Sequence, residues 1–218
     1  MKTNERLQKD IQDAIKWEPL LNAAEIGVTV NDGIVTLTGS VDSYPKKSEA
    51  EIAAKNVAGV KAVVENIEVK FPNQYAAKAD ADIANDVVTA LEWNWQIPGN
   101  LIKVQVEKGW VTLEGELEWN YQREAVSTAV KNVQGIKGVS NDITIMTTSQ
   151  DGVEKRDVEN ALRRDWSIDD KHIKVKVENH QVTLTGTVSS WYQKEEAERM
   201  AWKAPGVWKM ENALVVEY

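Results

Sequence analysis

The chain has 218 residues, with no Cys, nine Trp and one Phe, and its 34 acidic against 26 basic side chains give a formal net charge of −8. Zero Cys excludes disulfides, thiol catalysis and Cys-bound zinc or iron–sulfur centres. The acidic balance argues against a partner rich in nucleic-acid phosphate, which normally meets a basic face. A hydrophobic fraction of 42% with 28% charged residues marks a folded chain, not a disordered one.

No apolar run approaches the ~20 residues that span a bilayer. Met1 to Leu7 has no apolar signal core, so the expected compartment is cytoplasmic, or periplasmic if a leader has been removed. Leu7, Ile11 and Ile15 lie four apart and predict an amphipathic helix ending near Pro19. Ile26, Val28 and Val30 alternate as a strand, Asn31-Asp32-Gly33 signals a hairpin, and Val35 and Leu37 face the same way on a second strand. A second helix is predicted over 46–57, with Ala50, Ala53, Ala54 and Val57 on its apolar face, and a third strand over 63–69. The strand–helix–strand crossover predicts a parallel pairing. Phe71-Pro72-Asn73-Gln74 reads as a linker.

The plan then repeats. Val35-Thr36-Leu37-Thr38-Gly39 returns as Val111-Thr112-Leu113-Glu114-Gly115 after 76 residues, and as Val182-Thr183-Leu184-Thr185-Gly186 after 71 more. A second glycine follows each first in the same register, giving the structural pairs Gly39 and Gly59, Gly115 and Gly135, Gly186 and Gly206. Ile83, Val87 and Leu91, then Val158 and Leu162, repeat the first helix, with stops expected near Pro98 and at Asp169-Asp170. The second helix returns over 122–133 and 194–203, and the last strand over 139–145 and 210–216. Glu107-Lys108-Gly109 keeps the hairpin glycine. Glu178-Asn179-His180 does not, and there Asn179 is the residue best able to take left-handed geometry. Thr147 to Gly152 reads as the second linker. The expected architecture is α+β: three tandem αββαβ domains over 1–71, 76–147 and 152–218. Each has a three-stranded mixed sheet covered on one face by two helices.

This ordered set of motifs resembles the BON domain (bacterial OsmY and nodulation domain). The residues that carry the resemblance are the Ile-x-Val-x-Val strand, the turn, the Val-x-Leu-x-Gly string, the Gly-Val or Gly-Ile step and the Asn before the last strand. That Asn is Asn141 and Asn212, with Glu65 in the same register of the first unit. The resemblance implies a non-enzymatic protein of envelope or osmotic stress. Its implied partners are a phospholipid or membrane surface, or in some members potassium or another ligand. Residues 1–218 show neither the signal peptide nor the lipobox cysteine of many members, in keeping with the two compartments expected above.

Nothing in the residues suggests catalysis, and no cofactor is expected. His172 and His180 flank one strand, ~26 Å apart if it is straight, and read as surface histidines. Glu114, Glu116 and Glu118 alternate along one strand and are a weak cation candidate, since calcium takes 6–8 oxygens.

The tryptophans are more informative. Trp17 is the only one in the first unit, while Trp93, Trp95, Trp110, Trp119, Trp191, Trp202 and Trp208 are the candidates for interaction. Trp202 aligns with Lys55 and Lys131, and Trp208 with Lys61 and Lys137, so both are expected on the surface. Trp166 sits near the end of the third unit's first helix. Exposed indoles suit a lipid interface, a protein partner or a homo-oligomer, or packing between units over bare sheet faces.

Overall fold

The computed structural model describes residues 2–72, 78–146, 153–165, 168 and 172–217. The first unit runs α1 (Asn4–Trp17), a short turn of 3-10 helix (Ala23–Glu25), β1 (Ile26–Asn31), β2 (Ile34–Val41), α2 (Tyr44–Lys55) and β3 (Ala62–Val69). The second runs α3 (Asp80–Glu92), β4 (Ile102–Glu107), β5 (Trp110–Leu117), α4 (Asn120–Lys131) and β6 (Gly138–Ile145). The third runs α5 (Lys155–Arg163), β7 (Ile173–Glu178), β8 (Gln181–Val188), α6 (Trp191–Ala201) and β9 (Lys209–Val216). Each unit forms its own three-stranded sheet, with the middle strand antiparallel to the hairpin partner and parallel to the last strand.

Both helices of a unit lie on one sheet face and seal a separate core. In the first unit Leu7, Ile11 and Ile15 of α1 and Ala50 and Ala54 of α2 close over Val28, Val35, Leu37 and Ile67. The small alanines let α2 approach the strands closely. The opposite sheet face stays open: Ile34, Val64, Trp110 and Val215 are exposed.

Gly39 shows why the repeated glycine is needed. Its φ is 125°, and an added Cβ would lie 2.0 Å from the Glu25 carbonyl oxygen, where the chain enters β1. Gly186 repeats this against His172, with a Cβ 1.9 Å from the carbonyl oxygen. Asn179 carries the positive φ of the third hairpin, 55°.

Several element boundaries differ from those the sequence predicts. α3 stops at Glu92, well before Pro98, because Asn94 turns the chain: its side chain accepts a hydrogen bond from the Gln96 N–H at 3.0 Å. α5 stops at Arg163. The second helices begin earlier than expected, so Trp191 and Tyr192 are the first residues of α6 and do not precede it. Trp166, Asp169-Asp170, the linker residues 73–74 and the linker 147–152 lie outside the described residues.

Candidate functional site

The last strand of each unit is tethered to the helix above it through one side chain. Asn141 of β6 donates to the Arg123 carbonyl and the Ser127 hydroxyl of α4, and its Oδ1 accepts from the Ile143 N–H. Asn212 of β9 does the same to Lys194 and Glu198 of α6. In the first unit Glu65 accepts from the Ile67 N–H and pairs with Lys47 at 2.9 Å, so an ion pair replaces the amide tether.

The second helices also join the units to one another. The first residues of α2, α4 and α6 are Tyr44, Asn120 and Trp191; their far ends carry Lys55, Lys131 and Trp202. At each seam the start of one helix meets the end of the next. Tyr44 packs against the second unit's core and, with Ser48, lines a groove with Thr128, Lys131 and Val139. Burial raises its pKa above the usual tyrosine value, helped by Glu51 and opposed by a hydrogen bond to the Val139 backbone. Arg123 of α4 lays its guanidinium over the Trp202 ring, 4.7 Å from the centroid, and Trp202 packs against the cores of both the second and third units. Burial lowers the Arg123 pKa, against the charges of Glu198 and Glu124.

The third seam returns to the first unit. Lys55 of α2 lies 5.5 Å from the Trp191 ring centroid and 3.4 Å from Glu195 of α6. Burial works against the Lys55 charge. The hydrogen bond and charge of Glu51, with the charge of Glu195, outweigh it and hold the pKa above the usual lysine value. One heterologous contact is thus used three times, and the third use closes a ring, which makes the chain a pseudo-threefold assembly within itself.

The expectation that Trp202 and Trp208 lie on the surface fails. Both are half-buried, and neither indole N–H finds an acceptor among the described residues. Trp202 replaces a seam lysine and wedges between two cores. Trp208 replaces Lys61 and Lys137, whose stems lie against Gly33 and Gly109. In the third unit that glycine is His180, whose ring stacks on Trp208 at 3.9 Å between centroids. His180 Nδ1 also lies 2.9 Å from the Gly206 carbonyl oxygen. The third hairpin therefore exchanges a glycine–lysine contact for a histidine–tryptophan stack, and His180 is half-buried and not a free surface histidine.

The remaining indoles divide. Trp110 lies across the open sheet face over Gly138, its N–H donating to Ser140 at 3.3 Å. Trp119 occupies the N-cap of α4, where Ser43 and Ser190 stand in the other units, and its backbone N–H donates to Gln122 Oε1. Trp93 and Trp95 are 85% and 89% exposed at the end of α3. Trp17, absent from the interaction candidates, is 84% exposed at the end of α1; its alignment with Trp93 was the available signal. Glu114, Glu116 and Glu118 are exposed and do not gather. Among the described residues no three carboxylate or histidine side chains are placed to hold a metal ion.

A family model described as "BON domain" matches residues 3–70, 79–147 and 150–218. The chain belongs to the BON domain family. Its three BON units carry the tethering Asn or Glu and the paired glycines described above. A relative is "Osmotically-inducible protein Y" of Escherichia coli (strain K12), 28% identical over 126 residues, which are 56% of this chain and 63% of that protein. The match thus spans less than two thirds of that relative. Two solved structures of Chlamydia trachomatis CdsD also align. One, titled as "a structural protein of the Type III secretion system", is 18% identical, with 96% of this chain and 91% of that one covered and a TM-score of 0.25. The other, its C-terminal domain, has the same identity and TM-score with both chains fully covered.

Trp17 and Trp93 occupy equivalent positions at the exposed ends of α1 and α3, and Leu20 and Leu101 are also exposed. The ring is closed by helix ends, and the open sheet faces take no part in the seams described.

Proposed function

We propose that this chain is a non-catalytic binding protein of the osmotic-stress response that docks on a phospholipid surface through the ends of its first helices. The carrying observation is the near-complete exposure of Trp17 at the end of α1 and of Trp93 and Trp95 at the end of α3. An indole is amphipathic and sits well at the boundary between headgroup and acyl chain. The link to osmotic stress rests on family membership and on the name of the E. coli relative.

The net charge of −8 repels anionic headgroups, so a zwitterionic surface suits this protein better. Self-association through Trp202 and Trp208 loses its basis, because both rings are engaged inside the chain. The test is co-sedimentation with phosphatidylcholine vesicles and with vesicles containing phosphatidylglycerol. Wild type should sediment, more with the first, and the triple variant Trp17→Ala, Trp93→Ala, Trp95→Ala should stay in solution. No sedimentation of wild type with either vesicle removes the reading.

A further inference from the structure

We propose that the seam between the third and first units is a latch that opens as ionic strength rises, while the other two seams stay shut. The three seams occupy equivalent positions but are made of different materials. The first-to-second seam seats Tyr44 against a neighbour's core, and the second-to-third seam seats Trp202 in two cores. At the third-to-first seam neither partner reaches the other's core: among the described residues, no side chain of the first unit joins the third unit's cluster, and none of the third joins the first's. The contacts identified there are those of Lys55 with Glu195 and with the Trp191 ring. Glu195 has a side chain 51% exposed and Lys55 one 20% exposed, so salt reaches the pair from the Glu195 side.

Chain connectivity sharpens the contrast. The first two seams join units that are consecutive in sequence, whereas the third joins units separated by the whole of the second. Opening it leaves the other two seams and all three cores intact. Screening supplies the response: the Debye length falls from ~10 Å at 0.1 M salt to ~3 Å at 1 M, which weakens the partly exposed Lys55–Glu195 pair, though less than a fully exposed one. The apolar burial of Tyr44 and Trp202 is not weakened by screening. The expected change is a rise of about fivefold in the ratio of open to closed chains, the worth of one exposed ion pair with a cation–π contact. This inference concerns the ring alone and does not rest on the lipid reading.

The experiment is resonance energy transfer in the full chain. With no native Cys, cysteines can be placed at the exposed and equivalent positions Asn66, Asp142 and Ala213, and labelled in pairs. Between 0.05 and 1 M KCl, transfer between labels at 66 and 213 should fall, while the pairs 66 with 142 and 142 with 213 hold constant. Sucrose at matched osmolality should leave all three unchanged. Lys55→Met, which keeps the stem and removes the charge, should show low 66–213 transfer at 0.05 M KCl and little further response. A constant 66–213 signal in wild type overturns the latch, as does a parallel fall of all three pairs, an equal response to sucrose, or an undiminished salt response in Lys55→Met. The wild-type titration decides even if the variant folds poorly.

Discussion

Trp202→Ala tests whether an indole in place of a lysine fastens two units. A tryptophan side chain offers ~200 Å² of surface, and the packing of Trp202 between two cores keeps about 140 Å² of it out of water. At ~25 cal/mol per Å² that is about 3.5 kcal/mol. Losing the stack under Arg123 adds about 1 kcal/mol, and removing the unpartnered indole N–H returns about 1 kcal/mol. The net loss is therefore about 3.5 kcal/mol, and it should fall on the second and third units. Urea unfolding followed by far-UV circular dichroism measures it, with Trp95→Ala as the exposed comparison expected within ~0.5 kcal/mol of wild type. A cycle with Arg123→Met should show a coupling of about 1 kcal/mol. If Trp202→Ala costs no more than Trp95→Ala, the ring does not bridge the units as described.

Gly186→Ala should cost more than ~3 kcal/mol, because its Cβ would collide with the His172 carbonyl, while Gly99→Ala, with nothing within 4 Å, should be near neutral in the same melt. Asn141→Ala removes the tether of β6 to α4, while the Ser127 hydroxyl keeps its hydrogen bond to the Arg123 carbonyl, so about 1 kcal/mol should be lost from the second unit; hydrogen exchange at Ile143 should rise with it. His180→Gly and Trp208→Lys should each destabilise the third unit, and the double variant should recover part of the loss by recreating the glycine–lysine contact of the other units. For Tyr44, burial raises the folded pKa, so its contribution is complete below the ordinary tyrosine pKa of ~10 and fades as pH rises through the higher folded value. Wild type should thus lose more stability than Tyr44→Phe between pH 9 and 11.5, measured as the difference in urea midpoints.

Much of each unit was legible in the sequence because its determinants are local. The four-residue spacing of Leu7, Ile11 and Ile15, the alternation of Val28 with Val30, and the fixed glycine register each state their role within a few residues. Helix ends were harder: Pro98 looked like the stop for α3, but the side chain of Asn94 ended it first. The seams were not legible, since Tyr44 meets Lys131 and Val139 only after both units fold and turn against each other. Inferring exposure from aligned lysines failed at Trp202 and Trp208 for the same reason. A lysine stem can lie over buried ground while its charge reaches water, so a position that holds Lys twice is not necessarily far from a core. The His180–Trp208 stack was readable in principle, as two departures from the repeat that occur in the same unit.

Building the ring from one chain frees it from a constraint that binds a trimer of identical subunits. A homotrimer must place the same residue at every junction, so its joints loosen or hold together. Here the three leading positions carry Tyr44, Asn120 and Trp191, and the three trailing ones Lys131, Trp202 and Lys55. Each joint can then be tuned by substitution without altering the others, which lets a symmetric framework carry a graded order of strengths around its circumference.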